Sequence, residues 1–369
     1  MRNYPNVTVC GCGSGGLAMA ADLALLGCRV NLYEFREFAN NLEPIRGKGG
    51  VELTGKTNSG KTGLSKFNVI TSDPQEVLQG SDVVFVNVPA MVVERIVEDL
   101  APYLAKGQIL VVTTGYWASL RCRKILEKSG SLGKIVFVEE HIMPYLSRKI
   151  GPAQAHIYNY KRDIRIAAWP ATHNDTALGV LQKIYPQMIP SRNILENNLQ
   201  PGNPAVHAQI NIPQAEFFFE RSREFRFYGE VSLCASKLAD AFDEERRHLA
   251  HAFGLETPTY QAWFNDAYLY AGKNLYEIYG NVTCEHAQRW GTDAGNRRVL
   301  QEDLCYGFVP MEQLAGIAGI EVPVTSAMIE MIRIFSDFDY RSNGLKLEQL
   351  GMAGMNREQI LAYVNNGTE

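Results

Sequence analysis

The stretch Val7-Thr8-Val9-Cys10-Gly11-Cys12-Gly13-Ser14-Gly15-Gly16 constrains the fold of this chain more than any other. An apolar run ends in Gly-x-Gly-x-x-Gly and passes directly into a helical pattern. That is a strand, a tight turn and a helix in the order a dinucleotide-binding βαβ unit requires. Gly11 permits the turn, Gly13 lets the backbone approach a diphosphate, and Gly16 lets helix and strand pack closely. Ser14 and Gly15 open the helix, where free N–H groups and the helix dipole favour an anion. Glu34 closes the second strand about 20 residues on, the place from which a carboxylate accepts hydrogen bonds from the adenosine ribose. It favours NAD, because a carboxylate repels a 2′-phosphate. Arg36 could instead pair with such a phosphate, which leaves NADP open.

A second nucleotide motif is a decoy. Gly55-Lys56-Thr57-Asn58-Ser59-Gly60-Lys61-Thr62 fits the P-loop string G-x-x-x-x-G-K-[ST] letter for letter. A working P-loop lies between a buried strand and a helix. The flanks here are glycine-rich and lead into a strand, so a solvated loop or hairpin tip is expected and an ATPase is rejected.

The first half alternates short apolar runs with helical patterns, as a parallel sheet covered by helices does. Strands are expected at 6–10, 29–35, 66–71, 81–89, 108–114, 134–139, 156–160 and 164–168. Helices are expected at 15–26, 91–104, 118–129 and 174–185. Near 186–193 the texture changes, and long amphipathic segments follow at 208–227, 232–253 and 259–279, with shorter ones at 309–337 and 356–364. The fold class is therefore α/β then all-α. Residues 1–190 form a Rossmann-type, doubly wound NAD(P)-binding domain, and residues 191–369 an all-helical substrate and catalytic domain. Helical spacing places most of Phe217, Phe218, Phe219, Trp263, Tyr268 and Tyr270 in that domain's core.

At 369 residues two domains are expected. A formal net charge of −4 gives no reason to expect nucleic acid or a polybasic membrane contact. No run approaches 18 apolar residues, so no membrane span is expected, and the apolar residues before the glycine turn belong to the fold, not to a signal peptide. The cysteines at 10, 12, 28, 122, 234, 284 and 305 show no metal spacing. Gly11 separates the first two, putting one on a buried strand end. An odd, scattered set reads as reduced and cytoplasmic. The Asn-x-Thr triplets at Asn6, Asn174, Asn281 and Asn366 are then chance. No metal is called for, and homodimerisation is left open.

Asn203-Pro204-Ala205-Val206-His207 lies just past the change of texture, where a helix begins. Far downstream, Arg298-Val299-Leu300-Gln301-Glu302-Asp303 supplies a guanidinium and a carboxylate. A histidine entering a helix where cofactor and second domain adjoin is well placed for catalysis. His141, His156, His173, His248, His251 and His286 lack a comparable setting.

These segments carry a resemblance. NILENNLQPGNPAVH, RRVLQEDLCYGFVP and DYRSNGLKLEQLGMAGM resemble the motifs of the octopine/nopaline (opine) dehydrogenase family, and VEEHIMPYLSRKIGP and SDVVFVNVPA also fit it. The resemblance covers nearly the whole chain. It implies that His207 and Asp303 form the proton-handling pair, that Arg298 binds a substrate carboxylate, and that Asn203 is an asparagine of the site. Adjacent Arg297 could hold the carboxylate in place of Arg298, and Asp303 could instead cap a helix or pair with Arg297. Cys305-Tyr306-Gly307 departs from the family's usual proline before tyrosine, and His141 stands where a small hydroxyl residue is common, near the oxo-acid pocket. Both put substrate identity in doubt.

The implied reaction joins an amino acid's amine to a 2-oxo acid such as pyruvate and reduces the imine with NAD(P)H. Proton transfer near neutral pH suits a histidine oriented by a carboxylate. Two carboxylate substrates suit the planar fork of an arginine. The competing readings are a 2-hydroxy-acid or polyol-phosphate dehydrogenase of the same layout, which needs no amine, and a non-catalytic NAD-binding sensor, which needs none of His207, Arg298 and Asp303.

Overall fold

The computed structural model describes residues 4–280 and 294–367. Asn281, Cys284 and His286 lie outside them. Two compact units separate, one running to Asn197 and completed by residues 365–367, the other from Asn198 to Val364.

The first unit carries β1 (Val7–Cys10), β2 (Val30–Tyr33), β3 (Val51–Gly55), β4 (Gly63–Ser65), β5 (Val69–Thr71) and β6 (Val83–Val86). It continues with β7 (Ile109–Val112), β8 (Val136–Glu140), β9 (Tyr145–Gly151), β10 (Gln154–Tyr160), β11 (Ile164–Trp169) and β12 (Met188–Pro190). Eight strands form one sheet in the order β12-β11-β8-β7-β6-β1-β2-β5, parallel except where β11 meets β8. Every residue of β1, β2, β6 and β7 is buried, as strands covered on both faces must be. Each buried Val, Leu or Ile contributes roughly 1.5–3 kcal/mol. β1 pairs with both β2 and β6, so the glycine turn after it sits where the strand order reverses, the usual ligand position in an open α/β sheet. The glycine turn leads into α1 (Ser14–Leu26), which Gly27 ends at φ +117° by donating its N–H to the carbonyls of Leu23 and Ala24.

The expected Rossmann sheet is present, but two features differ from the sequence reading. The strand expected over 81–89 is shorter, ending at Val86. A second sheet, β4-β3-β10-β9, was not anticipated and takes the 156–160 strand away from the main sheet. It packs against α1. The P-loop look-alike is the tip of the β3–β4 hairpin of that sheet. Asp22 of α1 pins it there: its carboxylate accepts the N–H groups of Asn58 and Ser59, both at 3.0 Å. The Tyr145 hydroxyl also donates to Asp22 at 2.8 Å and lies 2.9 Å from the Tyr185 hydroxyl. The string is thus a structural clamp with no helix behind it.

The second unit has no β-strand element among its described residues. Its longest helix, Leu233–Ala252, starts at Ser232, whose Oγ accepts the Ala235 N–H, and Thr259 caps Tyr260–Tyr268 in the same way. Two expected helices are broken. The 208–227 segment is His207–Asn211, a short turn holding Pro213, then Ala215–Phe219. Proline removes a ladder donor, and the chain turns away at Arg221, φ +54°. The 259–279 segment stops at Tyr268, because Leu269 adopts φ +56°, and resumes at Leu275–Gly280. Phe218, Trp263 and Tyr268 are buried, as their spacing suggested; Phe217, Phe219 and Tyr270 are half-buried.

Candidate active site

The first unit builds a dinucleotide cradle. Gly11 lies at φ +107°, and a Cβ there would meet the Asn87 carbonyl oxygen at 2.5 Å. A Cβ on Gly16 would overlap the Gly11 carbonyl. Above Gly13 the space is open, with nothing within 4 Å of such an atom, and α1 begins without a side-chain cap. The turn therefore fits a diphosphate laid on exposed N–H groups of a helix N-terminus. β9 steadies that end of α1: the Lys149 N–H donates to Ser14 Oγ at 3.1 Å, and Ser147 Oγ donates to the Ser14 carbonyl at 3.3 Å. Ser14 thus turns its hydroxyl to the second sheet.

Glu34 is buried at the end of β2. One carboxylate oxygen accepts the Cys12 N–H of the glycine turn at 3.1 Å and the Asn41 amide at 3.4 Å; the other accepts the Phe35 N–H at 3.0 Å. The acid is fixed beside the turn, where the ribose of a dinucleotide belongs. Arg36 is exposed and opens the short helical stretch Arg36–Asn41. Burial pushes the thiols of Cys10 and Cys12 far above the ordinary range, with the Glu34 charge adding to it, so neither is a nucleophile.

The second unit brings together two residues 96 positions apart. His207, at the first turn of His207–Asn211, places Nδ1 2.7 Å from Asp303 Oδ2. Both residues are buried, Asp303 completely. Asp303 opens a π-helical turn, Asp303–Phe308, between Ala294–Glu302 and Val309–Ala318. Such a wide turn re-aims side chains and frees carbonyls, and it recurs at functional sites. The Cys305 carbonyl accepts the Leu345 N–H at 2.9 Å. Gln313 donates to the carbonyls of Val309 and Leu345 and accepts the Leu347 N–H. The C-terminal DYRSNGLKL segment is thereby bolted to the turn that carries Asp303. Cys305, the departure noted in the sequence, is buried with its thiol pushed up to about 12, an inert packing group.

Asn203 opens the turn Asn203–Ala205, which packs against the π-turn. Arg298 lies exposed on Ala294–Glu302, with Nη1 2.6 Å from Glu302 Oε2. Neighbouring Arg297 donates instead to the carbonyls of Phe218 and Phe219, at 3.4 and 3.2 Å. Arg297 is tied to the backbone, and Arg298 to the side chain of Glu302. Asp303 pairs with His207.

Tyr228 escaped the sequence reading. Its hydroxyl lies 3.0 Å from His207 Nε2, so both imidazole nitrogens are engaged. No local pattern marks it, because its position depends on the chain reversal that begins at Arg221. His141, by contrast, belongs to the first unit's backbone pairing: its Nδ1 accepts the Arg165 N–H at 2.8 Å. Burial drives its pKa down to about 3, so it stays neutral at physiological pH. Its ring is enclosed although the residue as a whole is half-buried.

Residues 190–336 match the family model for the helical domain of NAD/NADP octopine/nopaline dehydrogenase, and residues 6–129 match the N-terminal domain of NAD-dependent glycerol-3-phosphate dehydrogenase. Opine dehydrogenase of Arthrobacter sp. (strain 1C) is 28% identical over 359 residues, covering 96% of this chain and 98% of that one. The family-model match, the curated relatives and the shared fold support the opine dehydrogenase family for this chain. Octopine dehydrogenase of Pecten maximus is 23% identical, over 88% of each chain. Among solved structures, octopine dehydrogenase with NADH and L-arginine superposes with a TM-score of 0.75 over 99% of both chains at 19% identity. Yersinopine dehydrogenase with NADP+ superposes at 0.71 over 99% of both chains, with 15% identity. At such identities the superpositions speak for the fold, a Rossmann-type sheet followed by a helical domain. The same matches make the protein an NAD(P)-dependent oxidoreductase. The match to glycerol-3-phosphate dehydrogenase covers only the cofactor half, so it does not favour a polyol-phosphate substrate.

Proposed function

We propose that this opine dehydrogenase condenses the amine of an L-amino acid with a 2-oxo acid such as pyruvate and reduces the imine to an N-(1-carboxyalkyl)-amino acid. The buried His207–Asp303 pair at 2.7 Å carries this reading. The amine arrives protonated and must lose a proton before it attacks the carbonyl carbon. The carbonyl oxygen must then gain protons to leave as water. A neutral imidazole with Nδ1–H donated to Asp303 presents Nε2 as the base, and the carboxylate stabilises the imidazolium that forms. A nicotinamide dinucleotide bound at the Gly11–Gly16 turn supplies the hydride. Gly11, Gly13, Ser14, Gly15 and Gly16 would hold its diphosphate. Glu34 would hold its ribose, favouring NAD, and Arg36 would serve only for a 2′-phosphate.

Arg298 would trade its pairing with Glu302 for a substrate carboxylate, a stronger bidentate partner for its fork, and Asn203 would be a further residue of the site. The odd, scattered set of cysteines suits a cytoplasmic enzyme. Its partners are the amino acid and the 2-oxo acid. The test is NADH oxidation against a panel of 2-oxo acids, with and without each amino acid. Turnover is expected only when both are present. Oxidation of NADH by an oxo acid alone, at a rate no amine changes, would sink the reading and favour a 2-hydroxy-acid dehydrogenase. No turnover with any pair, despite tight NADH binding, would favour the sensor.

A further inference from the structure

Tyr228 stands on the nitrogen of His207 that the reaction needs. With Nδ1 given to Asp303 at 2.7 Å, only Nε2 can exchange protons with a substrate, and the Tyr228 hydroxyl lies 3.0 Å from it. The phenol is not placed to swing away. Its ring stacks on Tyr279, with centroids 5.0 Å apart and planes 17° from parallel, and meets Phe227 edge-on at 4.8 Å. Tyr279 is itself held, its hydroxyl 2.9 Å from that of Tyr260, and the Tyr260 N–H donates to Asp243. A proton that reaches or leaves Nε2 must therefore either cross the Tyr228 oxygen or wait for a packed aromatic stack to break.

We infer that Tyr228 is the third member of the proton-handling set, a hydroxyl relay between substrate and His207. The inference rests on the reading of His207 given above. A phenol donates one hydrogen bond and still has lone pairs with which to accept another. Facing the substrate ammonium, the Tyr228 oxygen takes a proton from nitrogen as its own O–H proton passes to Nε2. The N–H bond of the ammonium breaks, an N–H bond forms on the imidazole, and Tyr228 ends unchanged. The imidazolium, balanced by Asp303, later returns its proton by the same route to the hydroxyl of the carbinolamine. That C–O bond then breaks, water leaves, and the electron pair of nitrogen closes the C=N bond. No oxidant or reductant enters until hydride transfer. Asp303 thus acts on His207, whereas Tyr228 touches the reacting atoms.

The experiment compares wild type, Tyr228→Phe and His207→Ala in single turnovers with an amino acid and a 2-oxo acid, so that product release does not mask proton steps. Each is run in mixtures of H2O and D2O, and NADH affinity is read separately by fluorescence. Tyr228→Phe keeps the stacked ring and loses only the hydroxyl. We expect its rate to fall about 10²-fold, at the lower end of general acid–base effects, with NADH affinity retained. The wild-type rate should curve with deuterium fraction, because two protons move together, and the Tyr228→Phe rate should be linear. A native rate and a wild-type curve in Tyr228→Phe, with His207→Ala inactive, would overturn the relay and leave the His207 reading intact. Native turnover in His207→Ala would overturn that reading itself. If Tyr228→Phe loses NADH affinity through misfolding, the wild-type curve decides alone, and a straight line there ends the proposal.

Discussion

At the scale of single residues, the question is which side chains act on protons and which on carboxylates. Asp303 accepts from Nδ1 of His207 while fully buried, so Asp303→Asn keeps the volume but removes the charge that balances an imidazolium. His207→Ala removes the proposed base altogether. Each should cost about 10²–10⁴-fold in turnover. The double variant should be scarcely worse than either, since both belong to one unit. NADH titration should give unchanged affinity in all three, because the glycine turn lies in the other unit. Near-native turnover in either single variant would remove that residue from the mechanism. The two arginines separate just as clearly. Arg297 holds two main-chain carbonyls, and Arg298 pairs with the Glu302 side chain. Arg298→Lys keeps the charge and loses the fork, so it should raise the Michaelis constant of one substrate far more than that of the other. Arg297→Lys should leave both constants alone and lower stability. The reverse pattern would assign the carboxylate to Arg297.

At the scale of elements, the junction of β8 with β11 puts a titratable ring inside the backbone ladder. His141 Nδ1 accepts the Arg165 N–H, and burial holds its pKa near 3 against an ordinary 6.5. As pH falls below 6.5 the unfolded chain binds a proton here that the folded chain refuses. The stability present above pH 6.5 is therefore lost progressively down to about pH 3. His141→Asn keeps an acceptor for Arg165 and removes the titration. Urea unfolding at pH 7 and pH 4.5 should show wild type losing on the order of 2 kcal/mol more than the variant. Equal losses would mean that the ring protonates in the folded state. The elements also show where sequence patterns run out. β6 and β7 were legible because each is an unbroken apolar run, and β1 and β2, which carry Thr8 and Asn31, because they flank the glycine turn and its helix. β3, β4 and β9 were not: they are short or flanked by glycine, and β3 finds its partner in β10, a hundred residues away. The helix stops at Arg221 and Leu269 were equally hidden, since a left-handed non-glycine residue leaves no mark in the hydrophobic period. Tyr228 was lost with the first of those stops. His207, Asp303 and Arg298 could be named because their motifs resemble a family's. That His207 and Asp303 meet at hydrogen-bond distance is a property of the folded unit.

At the scale of the whole molecule, two units with separate cores mean that ligand binding need not be shared evenly between them. The glycine turn, Glu34 and Arg36 all lie in the first unit, whereas His207, Asp303 and Arg298 lie in the second. A ligand that binds only the folded form stabilises it by RT ln(1 + [L]/Kd), about 2.7 kcal/mol at a hundredfold excess over Kd. In calorimetry, NADH should raise the melting transition of the first unit and leave any separate transition of the second where it was. NADPH at equal concentration should raise it less. Its 2′-phosphate would face the Glu34 carboxylate, which is buried and fastened to the Cys12 N–H and so cannot easily turn aside. His207→Ala should show the same shift as wild type, separating cofactor binding from chemistry. A larger shift with NADPH would mean that Arg36 recognises the phosphate and outweighs Glu34. A single transition, moved as one by NADH, would mean that the two units unfold together despite their separate cores.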